Sequence, residues 1–274
     1  MLRSSSLLSV LGATLLVASN ASAQTRTWNF GDATAPGSCA QTAAGDLFGV
    51  GNAYSCSEQP SGTTNTLRVT AYTASGTSAT STFSASAVTP QGVGSGFGVG
   101  SAAEWGLYAS TTNAEHAIDN NAGGGADLLL LQFLTAPQQL KQVTLGWTSN
   151  DADFQVLRWT GTNAPALANQ SILGAMTGGW QLVSTVAGIG NRTDDLTYDV
   201  NAAGLSSSYW MISAYNPGLG TSAGFTPDAS ADRFKVLSVA ASTASSTVPE
   251  PSTYAMLAGG LAGLAAVARR RRAA

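Results

Sequence analysis

Short segments in which apolar and polar residues alternate recur between residues 26 and 240, and they predict about ten β-strands. In segment 140–147 the alternation places Val143, Leu145 and Trp147 on one face, which would pack inward. The predicted strands span residues 26–30, 67–72, 82–88, 127–133, 140–147, 153–160, 180–187, 196–200, 208–215 and 233–240. Gly, Pro and Asn-Asp turn signals separate them, and no amphipathic helix longer than two turns intervenes. The pattern therefore predicts an all-β fold, an antiparallel β-sandwich with a jelly-roll-like arrangement.

The N-terminus has a different pattern, in which a charged start precedes an uninterrupted apolar run. Arg3 is followed by an apolar stretch at residues 7–18 and by Ala-Ser-Ala at residues 21–23. This order is typical of a secretory signal peptide, and the apolar stretch is too short for a secure membrane span. We expect residues 1–23 to direct export through the secretion machinery and to be removed by signal peptidase.

The exported part has the length of one large all-β domain or of two small ones. We assign residues 24–240 to a β-sandwich ectodomain. Residues 241–248 are rich in Ser, Thr and Ala, and we interpret them as a linker. The stretches 31–66 and 90–101 are rich in Gly, Ser and Thr, and we interpret most of them as loops.

The C-terminus joins an uncharged run to a basic end. Residues 252–268 contain no charge and would form a helix of roughly 25 Å, just short of the ~30 Å hydrocarbon core. We expect a single transmembrane helix with snorkelling ends. Four consecutive arginines follow and would act as a membrane stop on the cytoplasmic side. They are Arg269, Arg270, Arg271 and Arg272.

Pro249, Glu250 and Pro251 precede this run. Two prolines around one residue keep the backbone extended, which suits a protease cleft. The order of Pro-Glu-Pro, apolar helix and arginine cluster at residues 249–272 resembles the PEP-CTERM sorting signal of Gram-negative bacteria. The resemblance implies that an exosortase, a multi-pass membrane enzyme, recognises Pro249, Glu250 and Pro251 and cleaves nearby. A generic tail anchor is the alternative interpretation.

The charge distribution narrows the class of partner. The whole chain has a net charge of −3, but between the two terminal signals seven basic and fourteen acidic residues remain, a net charge of −7. Lys141 and Lys235 are the only lysines. Nucleic-acid binding needs a basic surface, so the sequence disfavours it. Low charge with abundant Ser, Thr, Gly and Ala suits an extracellular β-protein.

Cys39 and Cys56 are the only cysteines, and both fall in the exported part, where oxidation is favoured. We expect them to form a disulfide, which on the chain-entropy estimate contributes roughly 3 kcal/mol. A metal site is the weaker alternative, because no histidine lies near the two thiols.

Asp and Asn residues form two groups that could supply oxygen ligands to calcium. Asp119, Asn121 and Asp127 flank a glycine loop, and Asp151 and Asp153 follow a predicted strand. Hard cations prefer such oxygen donors. Neither group completes an EF-hand pattern, and Asp and Asn are also ordinary turn residues, so turn chemistry is the alternative interpretation. Calcium is the one cofactor that the sequence suggests.

Signals for catalysis are weak. His116 is the only histidine, no Gly-x-Ser-x-Gly elbow marks a nucleophile, and a loop-pinning role suits His116 better. A hydrolase with an unusual site remains an alternative, as does a pair of carboxylates that cleaves glycosides. Aromatic side chains that could stack on sugars, or pack in the core, form a larger set. They are Trp105, Trp147, Trp159, Trp180 and Trp210.

A second resemblance covers residues 26–240 more loosely. Segments 115–120, 127–130, 143–147 and 209–216 look like those of a family of exosortase-dependent surface proteins. The resemblance implies no catalytic activity. We therefore expect an exported, non-enzymatic protein that is held in the inner membrane until processing and then resides at the cell surface or in an extracellular polysaccharide matrix, as in a biofilm. A carbohydrate- or calcium-binding adhesive module is the first alternative.

Overall fold

The predicted strands are present in the computed structural model, which describes residues 24–31, 39–46, 49–58, 65–102, 104, 116–120, 125–188, 190–228, 230–243 and 251–272. The first seven strands are β1 (Thr25–Asn29), β2 (Cys39–Ala43), β3 (Ala53–Ser57), β4 (Thr66–Ala74), β5 (Phe83–Pro90), β6 (Phe97–Gly100) and β7 (Ile118–Asp119). The next seven are β8 (Ala126–Phe133), β9 (Gln138–Thr148), β10 (Phe154–Trp159), β11 (Trp180–Val186), β12 (Leu196–Asp199), β13 (Tyr209–Ala214) and β14 (Arg233–Thr243). The structure also describes two α-helices, α1 (Ile172–Gly178) and α2 (Pro251–Arg272), and a short 3₁₀-helix at Pro217–Leu219.

All strand pairs are antiparallel, and they follow the order β11-β10-β13-β8-β4-β5-β6-β14-β9-β12. The short strands β1, β6 and β7 lie one after another along the edge of β14 that β9 leaves open. Strand β5 changes partner midway, because Phe83–Ser86 pairs with β4 and Ala87–Pro90 pairs with β6. The two layers of the predicted sandwich are thus joined into one nearly closed antiparallel sheet.

The main core lies between the two halves of this sheet. Trp28, Phe97 and Phe234 come from the β14 half, and Leu129 and Trp210 come from the β8 half. All five are almost completely buried. Burial of an aromatic or leucine side chain stabilises a fold by roughly 1.5–3 kcal/mol. This shared interior explains the alternation of apolar residues along the strands.

Strand β8 is buried on both faces, which explains its unbroken run of four leucines. Leu129 and Leu131 belong to the main core, whereas Leu128 and Leu130 belong to a second apolar cluster. Helix α1 covers this second cluster with Ile172. A strand that is covered on both faces reads as a continuous apolar run rather than as an alternating one.

Several stretches that we expected to be loops contain strands. Residues 31–66 include β2 and β3, and residues 90–101 include β6. Glycine and serine lower strand propensity, but tertiary pairing overrides it here. Strand β14 continues to Thr243, so residues 241–243 lie in the sheet rather than in a linker. The predicted signal peptide, residues 1–23, lies outside the described residues.

The chain divides into two units, of which Ala23–Ala244 forms one and the termini belong to the other. In the second unit, α2 extends through the predicted helical tail. The expected transmembrane helix is not confirmed, since no helix among the described residues is both long and apolar enough to cross a membrane. Alanine and glycine supply nine of the 17 residues at 252–268, and their side chains carry little apolar surface.

Candidate metal centres and sorting tail

The first candidate site, which we call the β8 cluster, consists of Glu104, Asp119 and Asp127. One carboxylate oxygen from each residue lies within 4.8 Å of the other two. Asp127 stands near the start of β8, and Asp119 ends β7. Both aspartates are buried, and Glu104 is half-buried. The sheet therefore gathers three acidic groups at one place.

Glu104 is held by a reciprocal pair of hydrogen bonds. The backbone N–H of Ser101 donates to Oε2 of Glu104 over 2.6 Å, and the backbone N–H of Glu104 donates to Oγ of Ser101 over 3.3 Å. This is the geometry of a capping box, which fixes the start of a helical turn. The carboxylate of Glu104 is thus positioned by its own backbone.

Asp127 is the most constrained member, with 1% of its surface exposed. Thr73, its cross-strand neighbour on β4, donates a 2.5 Å hydrogen bond to Oδ1. Oδ2 is buried and has no hydrogen-bond partner among the described residues. Burial raises the pKa of Asp127 well above its ordinary value, and the carboxylates of Glu104 and Asp119 raise that pKa further, whereas hydrogen bonds from Thr73 and from the backbone of Asp119 act against the rise. A buried carboxylate oxygen without a partner is costly unless something else satisfies it.

The second candidate site, which we call the β9–β10 cluster, consists of Asp151, Asp153 and Asp232. Asp151 and Asp153 lie in the turn that connects β9 to β10, and Asp232 immediately precedes β14. All three are buried, and their ligating oxygens also lie within 4.8 Å of one another. Asn150 opens this turn with a φ of 62°, a conformation that Asn tolerates better than most residues.

Desolvation and mutual repulsion dominate the electrostatics of this cluster. Burial raises the pKa of Asp232 to about 8, and the charges of Asp153 and Asp151 act in the same direction. Burial also raises the pKa of Asp153 to about 6, although the backbone N–H of Gly188 donates to its Oδ1 and opposes this. In both cases the neighbouring charges that act are carboxylates.

Both oxygens of Asp232 already accept hydrogen bonds. The backbone N–H of Asp153 donates to Oδ1 over 2.7 Å, and the amide Nδ2 of Asn120 donates to Oδ2. In return, the backbone N–H of Asp232 donates to Oδ1 of Asn120 over 2.9 Å. Because Asn120 follows Asp119 directly, the two clusters are linked through one dipeptide.

The sequence-predicted calcium ligands thus fall into two sites. Asp119 and Asp127 belong to the β8 cluster, and Asp151 and Asp153 belong to the β9–β10 cluster. Asn121 lies outside the described residues.

Sequence reasoning missed Glu104 and Asp232, the third carboxylate of each cluster. Neither residue adjoins an Asp/Asn-rich turn that would have drawn notice, and each comes to its site only through the folded chain.

The other sequence candidates are dispersed. His116 lies just before β7, where its carbonyl oxygen accepts a 3.3 Å hydrogen bond from Oγ1 of Thr89. Trp180 and Trp210 are buried, whereas Trp147 and Trp159 are partly exposed. Trp105 lies outside the described residues.

One cavity of about 510 Å³ combines aromatic and polar groups. Trp159 and Tyr209 line it together with Arg158, Ser206 and Thr160. Nε1 of Trp159 donates a 2.6 Å hydrogen bond to the carbonyl of Asn163, which fixes the indole. An aromatic face beside a guanidinium and hydroxyl groups offers both stacking and hydrogen bonds to a ligand.

The predicted disulfide between Cys39 and Cys56 is confirmed. The two cysteines are directly opposed on β2 and β3, with their Cα atoms 4.0 Å apart. The bond fastens β2, which is largely exposed, to the strand that pairs with β4.

In the tail, α2 ends with the four predicted arginines, Arg269–Arg272, which are all exposed. Cationic side chains in the last turn interact favourably with the helix dipole. Large apolar side chains of α2 are exposed as well, including Leu257, Leu261 and Leu264. Pro249 and Glu250 lie outside the described residues, and Pro251 is the first residue of the helix.

Two solved proteins show a distant likeness to this chain. A fucosidase of Ruminococcus gnavus in complex with fucose is 13% identical, with a TM-score of 0.27 over 49% of this chain and 22% of that chain. This chain therefore spans about a fifth of the fucosidase. The C-terminal domain of a chitobiase from Bacteroides fragilis is 15% identical, with a TM-score of 0.24 over 46% of this chain and 77% of that domain. Likeness at this level carries no conclusion about this chain.

A comparison with curated proteins finds no match. A comparison with protein families matches residues 247–272 to the PEP-CTERM protein-sorting motif. The matched region contains Pro249, Glu250 and Pro251, the apolar helix and the four arginines in the order described above. At its C-terminus, therefore, the protein carries a PEP-CTERM protein-sorting motif.

Proposed function

We propose that this protein is an exported surface or extracellular-matrix protein of a Gram-negative bacterium, which an exosortase processes through its C-terminal tail. The observation that carries the proposal is the PEP-CTERM motif at residues 247–272. The Cys39–Cys56 disulfide supports export, because disulfides persist in oxidising compartments. The β-rich unit Ala23–Ala244 would be the part delivered.

The tail would associate with the inner membrane before processing. Its helix exposes apolar side chains such as Leu257 and Leu264, which favour a lipid environment. Arg269–Arg272 would remain on the cytoplasmic side, where positive clusters are retained. Pro249, Glu250 and Pro251 would then be presented to the exosortase, and cleavage nearby would release the β-rich unit to the cell surface.

Replacement of Glu250 by Ala tests the proposal, with Ser252→Ala as the neighbouring control. In a host that contains the exosortase, E250A should accumulate as a precursor in the membrane fraction, whereas S252A should be processed. The measurement is the intact mass and the N- and C-terminal sequence of the protein from membrane, surface and medium. Processed E250A, or wild-type protein at the surface that still contains Arg269–Arg272, would contradict the proposal.

We further propose that the β-rich unit is non-enzymatic and acts in the matrix by binding. A specific observation favours carbohydrate as a ligand, namely the cavity that Arg158, Trp159 and Tyr209 line. Trp and Tyr each combine an apolar ring with a polar group, so they can pack on the apolar face of a sugar and also form hydrogen bonds. On a glycan array, Trp159→Ala should lose a signal that the wild type shows. Phe225→Ala, a partly exposed aromatic outside the cavity, should retain it. A wild type without any signal would refute this second role.

A further inference from the structure

We propose that the β8 cluster, Glu104, Asp119 and Asp127, binds a calcium ion. The proposal rests on two independent observations. The first is the convergence of three carboxylates, with one oxygen of each within 4.8 Å of the others. The second is Oδ2 of Asp127, a buried oxygen that lacks a hydrogen-bond partner among the described residues. A bound cation would answer both.

The geometry suits calcium. Calcium binds oxygen at 2.3–2.6 Å, so two ligands of one ion stand at most about 5 Å apart. The separations in the β8 cluster fall within that limit. Calcium also accepts irregular arrangements of six to eight oxygens, and water and nearby backbone carbonyls can complete a shell that three carboxylates begin. Zinc is disfavoured, because no histidine or cysteine belongs to the cluster.

The negative charge of the β8 cluster also favours a bound cation. Two buried carboxylates and a half-buried one would repel one another, and each buried charge loses its hydration. A divalent cation offsets most of this charge and replaces the lost water as a ligand.

A proton on Asp127 is the competing solution. It would remove one of the three charges, and its O–H group could donate to a carboxylate oxygen of Glu104 or Asp119, but it would leave the other two carboxylates charged and close together. Oδ1 is already occupied by the hydroxyl of Thr73, which in turn contacts the hydroxyl of Ser86. This bond orients the carboxylate so that its second oxygen stays available. A cation therefore satisfies the site more completely than a proton does.

The β9–β10 cluster differs from the β8 cluster in how its carboxylate oxygens are hydrogen-bonded. Both oxygens of Asp232 accept hydrogen bonds, from Asp153 and Asn120, and in the part of the chain that the structure describes no fully buried oxygen of this cluster lacks a hydrogen-bond partner. The proposal is accordingly confined to the β8 cluster. It does not depend on the sorting tail, and failure of either proposal would leave the other intact.

The test is a calorimetric titration of the purified full-length chain with CaCl₂ after removal of metal with EDTA. The wild type should bind calcium with a Kd of about 10⁻³ M or tighter, the range of extracellular calcium modules. Saturating calcium should also raise the melting temperature, by about 5–10 °C when the ion is at a hundredfold excess over the Kd. Magnesium, which demands stricter octahedral geometry, should produce a smaller rise.

Two charge-removing variants make the test specific. Asp127→Asn should lose one equivalent of bound calcium, or at least tenfold in affinity, while its melting temperature in EDTA stays equal to that of the wild type or exceeds it. Asp199→Asn removes an exposed carboxylate on β12 and should bind as the wild type does. A merely structural role for Asp127 would instead lower the melting temperature in EDTA and leave calcium binding unchanged.

The proposal is overturned if the wild type shows neither heat nor a calcium-dependent shift, if magnesium alone produces the shift, or if D127N keeps the wild-type stoichiometry and affinity. Should D127N fail to unfold cooperatively, Glu104→Gln carries the same test, because Glu104 is only half-buried. Loss of the same equivalent in E104Q supports the site, and its retention refutes it.

Discussion

Replacement of Lys235 tests how much stability the β-rich unit loses by burying a charged side chain. This lysine lies on β14 with 1% of its surface exposed, and its Nζ is 4.7 Å from the centre of the Trp147 ring on β9. Burial lowers its pKa from 10.5 to about 8. The residue is therefore charged at pH 7, and burial of that charge lowers the stability of the folded state.

The cost and the gain can be compared. A difference between pKa values of 10.5 and about 8 corresponds to a penalty of about 3 kcal/mol for the charged form. The cation–π contact with Trp147 returns up to about 2 kcal/mol. Lys235→Met keeps an unbranched chain of similar length and removes both terms. We expect the variant to be more stable at pH 7 by about 1 kcal/mol, a rise of about 2–4 °C in melting temperature.

The pH dependence supplies a signature that packing alone would not produce. Because the folded pKa lies below the unfolded one, folding releases the Lys235 proton between about pH 8 and 10.5, so the wild type gains stability as the pH rises through that window. K235M has no such proton. Its advantage at pH 7 should therefore shrink at pH 10 and approach zero once the wild-type amine is neutral, because a neutral amine has neither the desolvation penalty nor the cation–π contact.

The assay is thermal unfolding followed by circular dichroism at pH 7 and pH 10 for wild type and K235M. Other titrating groups are common to both chains, so the difference between them isolates Lys235. Lys141→Met on β9, where the side chain is only partly buried, is the control and should change the melting temperature little at either pH. The reasoning is refuted if K235M is clearly less stable at pH 7, or if the difference is the same at both pH values.

Two further predictions concern the scaffold. The double variant Cys39→Ser/Cys56→Ser should lose roughly 3 kcal/mol of stability, seen by calorimetry as a melting temperature lower by about 6–12 °C, and a reductant should bring the wild type to the same value. An unchanged melting temperature would show that the disulfide does not stabilise the fold. Gly98→Ala would place a Cβ on the carbonyl oxygen of His116 and displace the segment that leads into β7. We expect G98A to unfold at a lower temperature than the wild type and to bind calcium more weakly. Gly178→Ala is the control, because its new methyl group meets no neighbour within 4 Å, and it should match the wild type in both measurements. Equal behaviour of the two variants would contradict the predicted overlap.

Features that depend on neighbouring residues could be predicted from the sequence. Alternation along a strand reflects which side chains face the core, and that period is a property of the local chain. The segments predicted from this period correspond to β1, β4, β5 and β8–β14. The sorting tail is local as well, since its three parts follow one another directly. The disulfide could be predicted because the chain has only two cysteines and both lie in the part that we expect to be exported.

Features that join distant segments could not be predicted. Strands β2, β3 and β6 have compositions typical of loops, and they form because neighbouring strands supply partners for their backbone groups. Helix α1 was missed because it is short and lies on the outer face of β8, where it covers a second apolar cluster.

The candidate metal sites also combine local features, which the sequence predicted, with features that depend on distant segments, which it did not. The sequence by itself determined that Asp151 lies in a turn just before the predicted strand that Asp153 begins, and that Asp119 and Asp127 flank a glycine loop. Only the tertiary structure brought Glu104 and Asp232 to complete the two clusters. It also decided which oxygens are satisfied and which one, Oδ2 of Asp127, is not. The physical reason is that desolvation and carboxylate repulsion depend on distances in space, and strand pairing sets those distances between residues far apart along the chain.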